Sequence, residues 1–213
     1  MNKKVGIALL LAVIVGIFAW LFYSPSEGMP KTDLDVSQAL GATTAEETAK
    51  LLGNKGGIVV ISWDSGNKMP LVEAQLTAFA QALKNHDGIQ ILTKEKVARN
   101  PTMMMGTGGA IPAEDFLKVL KAYPGAAGIV LFLAFPNLSP QELNIIRESQ
   151  TKIVVVSGCN PGYKKLLMDR NIDLAIIPKF ERVENTRPPR TVQETFDQNY
   201  QVVTSAQAAK LPY

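Results

Sequence analysis

The side chains that could carry chemistry are few and far apart. Cys159, in Ser157-Gly158-Cys159-Asn160, follows an apolar run and precedes a helical pattern, a place where the helix dipole can lower a thiol pKa and make a nucleophile. Such a nucleophile needs a base. The one histidine, His86, lies in Asn85-His86-Asp87-Gly88 at the far end of another helical pattern, on the opposite edge of the sheet from the strand C-termini. That geometry argues against a Cys-His pair and leaves Cys159 as a small side chain at a loop mouth and His86 as a solvated residue in a helix C-terminal turn. No Gly-x-Ser-x-Gly string is present to make a serine nucleophile. Asp64 and Glu73 make no convincing carboxylate pair, because Glu73 falls on a helix and not in a cleft mouth. The loop Met103-Met104-Met105-Gly106-Thr107-Gly108-Gly109 invites a phosphate reading. A dinucleotide fingerprint, however, needs G-x-G-x-x-G directly after a strand, and a P-loop needs Gly-Lys-Ser/Thr. The helix after it opens with Glu114 and Asp115, whose charge repels an anion. The three methionines read as facing either a partner or the core. With a single cysteine, neither an intramolecular disulfide nor a cysteine-based metal site is possible. The expectation is a non-enzymatic protein with no catalytic residue, metal or cofactor.

The elements that would position these residues are clearest between Gly56 and Asn85. Ile58 to Ser62 follows two glycines as a β-branched run, the pattern of a strand buried on both faces. Trp63 to Asn67 is a turn-rich loop, and Pro70 suits a first helical position. Val72, Leu76, Phe79 and Leu83 then share one helical face. Strands follow at Ile89 to Thr93, Gly128 to Ala134, Ile153 to Val156 and Asp173 to Ile177. Helices are predicted at Ala113 to Ala122, from Ser139-Pro140-Gln141-Glu142 onward, and at Pro161 to Arg170. Thr44-Ala45-Glu46-Glu47 reads as a capping box opening a short helix.

Strands alternating with helices of this length force right-handed crossovers and a parallel sheet covered on both faces. The predicted fold class is α/β, a Rossmann-like doubly wound sheet. Ligands on such sheets bind beyond the C-terminal ends of the strands, which here are Trp63 to Asn67, Lys94 to Gly109, Phe135 to Ser139, Ser157 to Asn160 and Pro178 to Arg182. The candidate ligand-binding residues are Trp63, Asp64, Asn67, Phe135, Asn137 and Asn160, with Trp63 and Phe135 offering rings to stack on a sugar face or a planar ligand.

Ahead of this domain, Val5 to Tyr23 is uncharged throughout and long enough, at about 1.5 Å per residue, to cross a hydrocarbon layer of roughly 30 Å. Lys3 and Lys4 precede it, so the positive-inside tendency keeps the N-terminus in the cytoplasm and exports the rest. An uncleaved signal anchor is the reading, with a cleaved signal peptide as the alternative. The expected organisation is a transmembrane helix at 1–23, a tether at 24–38, the α/β lobe at 39–180, and an extended tail at 181–213 with an edge strand at Tyr200 to Thr204. That places the chain in a bacterial inner membrane as a single-pass protein with its C-terminal domain periplasmic or extracellular. The net charge is +3, and removing Lys3 and Lys4 from the 22 basic side chains brings them almost level with the 19 acidic ones. No electrostatic case for nucleic acid survives.

Several strings, in order and spacing, resemble the C-terminal lobe of the type I periplasmic binding proteins, the sugar-binding components of ABC importers. They are Glu46 to Ile61, Ala78-Phe79-Ala80-Gln81-Ala82-Leu83, His86-Asp87-Gly88-Ile89, and Pro161 to Leu167 leading to Asn171-Ile172-Asp173-Leu174. The resemblance spans about Leu40 to Ile177 and implies a sugar-like small-molecule ligand held by a substrate-binding or sensing module. Three departures bear on this. The family's Asn-Asp pair is replaced by Ala134-Phe135-Pro136-Asn137, its Gly-x-Asp-Gly by Ser157-Gly158-Cys159-Asn160, and its helix arginine by Gln75. Those charged groups hold sugar hydroxyls by charge-assisted hydrogen bonds. A binding protein also closes two lobes on its ligand, and only the tether precedes this one. The face carrying Trp63, Met69, Met103 to Met105 and Phe135 is therefore expected to be open, fitting a homodimer or an exported partner protein. The alternative to ligand binding is a degenerate lobe that acts as an interaction scaffold.

Overall fold

The computed structural model describes residues 31–64, 69–98, 109–156, 162–179 and 188–211. The expected anchor at 5–23, together with Asn67, Met103 to Met105, Cys159 and Asn160, lies outside the described residues. Among the described residues, no helix is long and apolar enough to cross a membrane. Elements run in the order α1 (Lys31–Leu51), β1 (Gly56–Asp64), α2 (Pro70–Leu83), β2 (Ile89–Ala98), α3 (Ala113–Ala122), β3 (Gly128–Leu131), α4 (Pro140–Ser149), β4 (Lys152–Val156), α5 (Tyr163–Met168), β5 (Leu174–Pro178), α6 (Val192–Asn199), β6 (Tyr200–Thr204) and α7 (Ser205–Ala208).

The six strands form one sheet in the order β2-β1-β3-β4-β5-β6. All neighbours are parallel except β5 and β6, which run antiparallel. Strand residues alternate between two cores, as a period of two demands. Val59, Ile61, Ile129, Leu131, Ile153 and Val155 face α3, α4 and α5 through Phe116, Ile146 and Leu167. Ile58, Val60, Val130, Val154 and Ile176 face α1, α2 and α6 through Leu40, Phe79 and Phe196. Each fully buried side chain of this size stabilises the fold by about 1.5–3 kcal/mol relative to exposure, so the two-sided burial of the central strands dominates folding.

The first helix differs most from its prediction. α1 starts at Lys31, inside the expected tether, and Thr44 lies in its middle. The apparent capping box is therefore not a helix start: the Thr44 hydroxyl donates to Leu40 O at 2.7 Å, and Thr48 donates to Thr44 O at 2.7 Å. Apart from Leu40, the buried face of α1 consists of small residues, among them Ser37, Ala39, Thr43, Thr44, Ala45, Thr48 and Ala49. Small side chains let α1 lie directly on α2, and a Cβ added at Gly41 would sit 2.0 Å from Gln75 O. The helix ends in a Schellman motif, with Asn54 N–H donating to Ala49 O and Gly53 N–H to Lys50 O around a left-handed Gly53.

Two further boundaries move. β2 continues past Thr93 to Ala98, so Lys94 to Ala98 is an edge strand and not loop. Its charged residues Lys94, Glu95 and Lys96 suit an edge that must not pair with another chain, and Tyr123 at the end of α3 donates its hydroxyl to Glu95 at 2.8 Å. The C-terminal part is not only extended. β6 is the expected edge strand at Tyr200–Thr204, but α6 precedes it, capped by Thr191, whose hydroxyl accepts from Glu194 N. His86 is likewise not simply solvated: its Nε2 is 3.1 Å from Glu46 Oε2, which ties the turn before β2 to α1.

Candidate functional site

β1 hands the chain to α2 on one face of the sheet, and β3 hands it to α4 on the other. Adjacent parallel strands whose connections leave in opposite directions open a crevice at their C-terminal ends, where ligands of such folds bind. Here that crevice is partly filled. Phe132 N–H donates to Ile61 O, and one strand period later Ala134 N–H donates to Gly109 O while Ile111 N–H donates to Ala134 O. Phe132 and Ala134 present their backbone groups to the same edge, so residues 109–111 lie on the β1 side of β3, where β1 has turned toward β2. The bridge between Ala110 and Ala134 is parallel.

The open space lies on the other side of this wedge. A cleft of about 530 Å³ is lined by Ala110 to Ala113, Phe135 to Leu138, Leu143 of α4, Lys165 and Leu166 of α5 and the residues that flank α5, Gly162 and Asp169, reaching down to Asn171. A size of this order suits a small ligand. Its walls are apolar, with Ile111 and Phe135 buried, and its rim is polar. Asn137 is exposed at the mouth, and Lys165 Nζ lies 3.5 Å from Asp169 Oδ2 on the flank. The loop between Asn137 and α4 is fixed by a complete capping box. Ser139 N–H donates to Glu142 Oε2 at 2.7 Å and Glu142 N–H returns to Ser139 Oγ, with Pro140 at the first helical position. These bonds from Ser139, the backbone amide foremost, hold the Glu142 carboxyl below the usual glutamate range.

The predicted site residues separate. Phe135 and Asn137 line the same cleft, whereas Trp63 and Asp64 close β1 and are not among its walls. Asn67 and Asn160 lie outside the described residues. Phe135 does not offer a free ring face: it is 2% exposed and meets Phe116 edge-on, with centroids 5.6 Å apart. Trp63 is half-buried against the same core. Phe135 is therefore not part of an open apolar face, Met103 to Met105 of that expected face lie outside the described residues, and the large apolar side chains exposed among the described residues, Leu92, Ile145, Met168 and Val192, stand on different elements. Residues not anticipated are Lys165, Asp169 and Asn171. The first two are spaced i, i+4 on the predicted helix, the signal that would have placed them together. The arrangement can hold a small molecule by an amide, an ion pair and apolar walls. His86 cannot act as a base there, because it sits beside Glu46 before β2 begins, at the opposite end of the strands.

No protein-family profile and no curated protein sequence matches the chain. Solved structures do. An arabinose-binding protein from Geobacillus stearothermophilus superimposes with a TM-score of 0.55 at 16% identity, over 83% of this chain and 63% of its own. A glucose-galactose binding protein from the same organism gives 0.54 at 13% identity, over 83% and 62%. The sugar-binding protein of a sugar ABC transporter from Bacillus halodurans gives 0.54 at 16% identity, over 82% and 64%. The fold is thus that of the type I periplasmic binding proteins, a mostly parallel sheet covered on both faces. The chain spans less than two thirds of the length of each of these proteins.

Proposed function

We propose that the chain is an exported, non-enzymatic binding module of sugar-binding-protein type, held at a membrane by residues 5–23. It takes a neutral, sugar-like small molecule at the C-terminal ends of the strands. The observation that carries this reading is the cleft of about 530 Å³ with Asn137 at its mouth, on a fold whose structural neighbours are named for arabinose and for glucose and galactose. An asparagine amide both donates and accepts, so it can engage two adjacent hydroxyls of a sugar. Neutral hydrogen bonds are about half as strong as charge-assisted ones. Without the carboxylates and arginine of the sugar binders, the affinity is expected to be correspondingly modest.

A thermal-shift panel of the full-length chain with D-arabinose, D-glucose, D-galactose, D-allose and D-tagatose tests the ligand. A sugar at 100 times its dissociation constant adds about 2.7 kcal/mol of stability, and Asn137→Ala, by weakening binding about tenfold, should cut that to about 1.4 kcal/mol or less. The anchor is tested by fractionating cells and adding protease to spheroplasts. Digestion of the C-terminal domain is expected, and its protection would contradict the topology.

A further inference from the structure

β2 ends the sheet on one side, and among the described residues it pairs only with β1. The hydrogen bonds fix which way its backbone faces. Gly56 N–H donates to Gly88 O on the β2 side, while Gly57 O and Ile61 O accept on the β3 side, from Ala127 and Phe132. Backbone groups alternate between the two edges of a strand, so Val60, Ser62 and Asp64 also turn toward β2. They stand opposite Lys94, Lys96 and Ala98, and in a parallel ladder they bond to the residues on either side of those partners, Thr93, Glu95 and Val97. That leaves the N–H and C=O groups of Lys94, Lys96 and Ala98 directed away from the sheet, on three exposed residues.

Beside this edge lies a groove of about 350 Å³ between β2 and α3. Val97 and Val119 line it from the core, and Tyr123 lines it with its hydroxyl donating to Glu95 at 2.8 Å. An open row of backbone groups beside such a groove accepts an extended peptide as an added strand, whose alternate side chains give specificity. The charges decide which peptide fits. The Lys94 and Lys96 side chains project from the face opposite to Glu95 and Val97, and neither meets a carboxylate among the described residues. An antiparallel second copy of β2 in full register would set Lys94 against Lys96 twice, and like charges directly opposite are destabilising. The lysines that keep β2 from joining its own copy therefore favour a strand with acids at those two places.

We propose that the β2 edge docks an extended segment of another protein in which acidic and apolar residues alternate. Two acidic residues of that segment exchange backbone hydrogen bonds with Lys94 and Lys96 and set their carboxylates beside the two ammonium groups. The apolar residue between them turns the other way, into the groove over Val97 and Val119. This surface shares no residue with the strand-end cleft.

Fluorescence anisotropy of the full-length chain in detergent tests this with a labelled, end-blocked peptide Val-Glu-Val-Glu-Val. Saturable binding is expected. The same residues in the order Glu-Glu-Val-Val-Val should bind at least about tenfold more weakly, since one lost hydrogen bond or ion pair is worth about that much. N-methylation of both glutamates removes the donors to the Lys94 and Lys96 carbonyls and should weaken binding by a similar factor, whereas N-methylation of the central valine, whose N–H points away from the sheet, should leave it unchanged. The double variant Lys94→Glu/Lys96→Glu, at exposed positions, should lose the acidic peptide and bind Val-Lys-Val-Lys-Val instead, a gain that a misfolded protein would not show. Asn137→Ala should change nothing. No saturable binding of the acidic peptide, equal binding of the block-ordered one, equal loss from methylation at either kind of position, or retention of the acidic peptide by the double lysine variant would each overturn the proposal.

Discussion

The ring of Phe135 meets the ring of Phe116 edge-on, centroids 5.6 Å apart and planes at 62°, so the residue that leaves β3 toward the cleft mouth is anchored to α3 beneath it. Phe135→Ala should therefore act on stability, costing about 3–5 kcal/mol by removing a buried ring. Phe135→Leu should cost less. Urea unfolding of both variants measures this, and a Phe135→Ala protein as stable as the parent would show that the ring is not a core element.

The close approach of α1 and α2 makes a second prediction. A Cβ at Gly41 would lie 2.0 Å from Gln75 O, a backbone atom that cannot rotate away. Gly41→Ala should force the helices apart and cost at least about 1–3 kcal/mol, as overpacking does. Gly53 has open space around it but a φ of +63°, so Gly53→Ala should cost only the left-handed strain of about 1–2 kcal/mol. Thermal unfolding of the pair distinguishes the two mechanisms. Only Gly41→Ala should be rescued by a second change that loosens the α2 side of the contact.

The same helix shows what could and could not be read from the residues. β3, β4 and β5 were legible because a strand buried on both faces must be apolar throughout, as Ile129 to Leu131 and Ile153 to Val156 are. α1 was legible only from Thr44 onward, because apart from Leu40 its contact face is built from alanine, glycine, serine and threonine, which leave no hydrophobic period. The pattern of Ser or Thr followed three residues later by Glu occurs at Thr44, Ser139 and Thr191. At Ser139 and Thr191 it caps a helix, while at Thr44 the preceding turns are already helical and buried, and the hydroxyl bonds backward instead. The edge of β2 alternates with lysine and glutamate and so resembled a loop. For the site, order along the chain placed Asn137 in the loop after β3, and in the structure that loop forms one wall of the cleft. Whether Phe135 pointed outward or into the core depended on the wedge of residues 109–111, a tertiary contact with no local signature.

Acid should weaken the cap beside Asn137. Ser139 holds the Glu142 carboxyl below its ordinary value of 4.5, so the stabilisation is fully present above that value and is lost as the pH falls through the lowered one. Glu142→Gln keeps an acceptor without the charge. The difference in melting temperature between parent and variant should be largest near neutrality and should close as the pH is lowered past the usual glutamate range. A gap that stays constant across that range would mean the charge contributes nothing.

The most direct measurement is a calorimetric titration of the full-length chain, in detergent, with the sugars named for its structural neighbours, repeated on Asn137→Ala. Saturable binding of at least one neutral monosaccharide, with the affinity lowered about tenfold or more by loss of the amide, is the expected result. Absence of heat with every neutral sugar up to concentrations at which weak sites saturate, or binding that Asn137→Ala leaves unchanged, would contradict a sugar-like ligand at the strand ends.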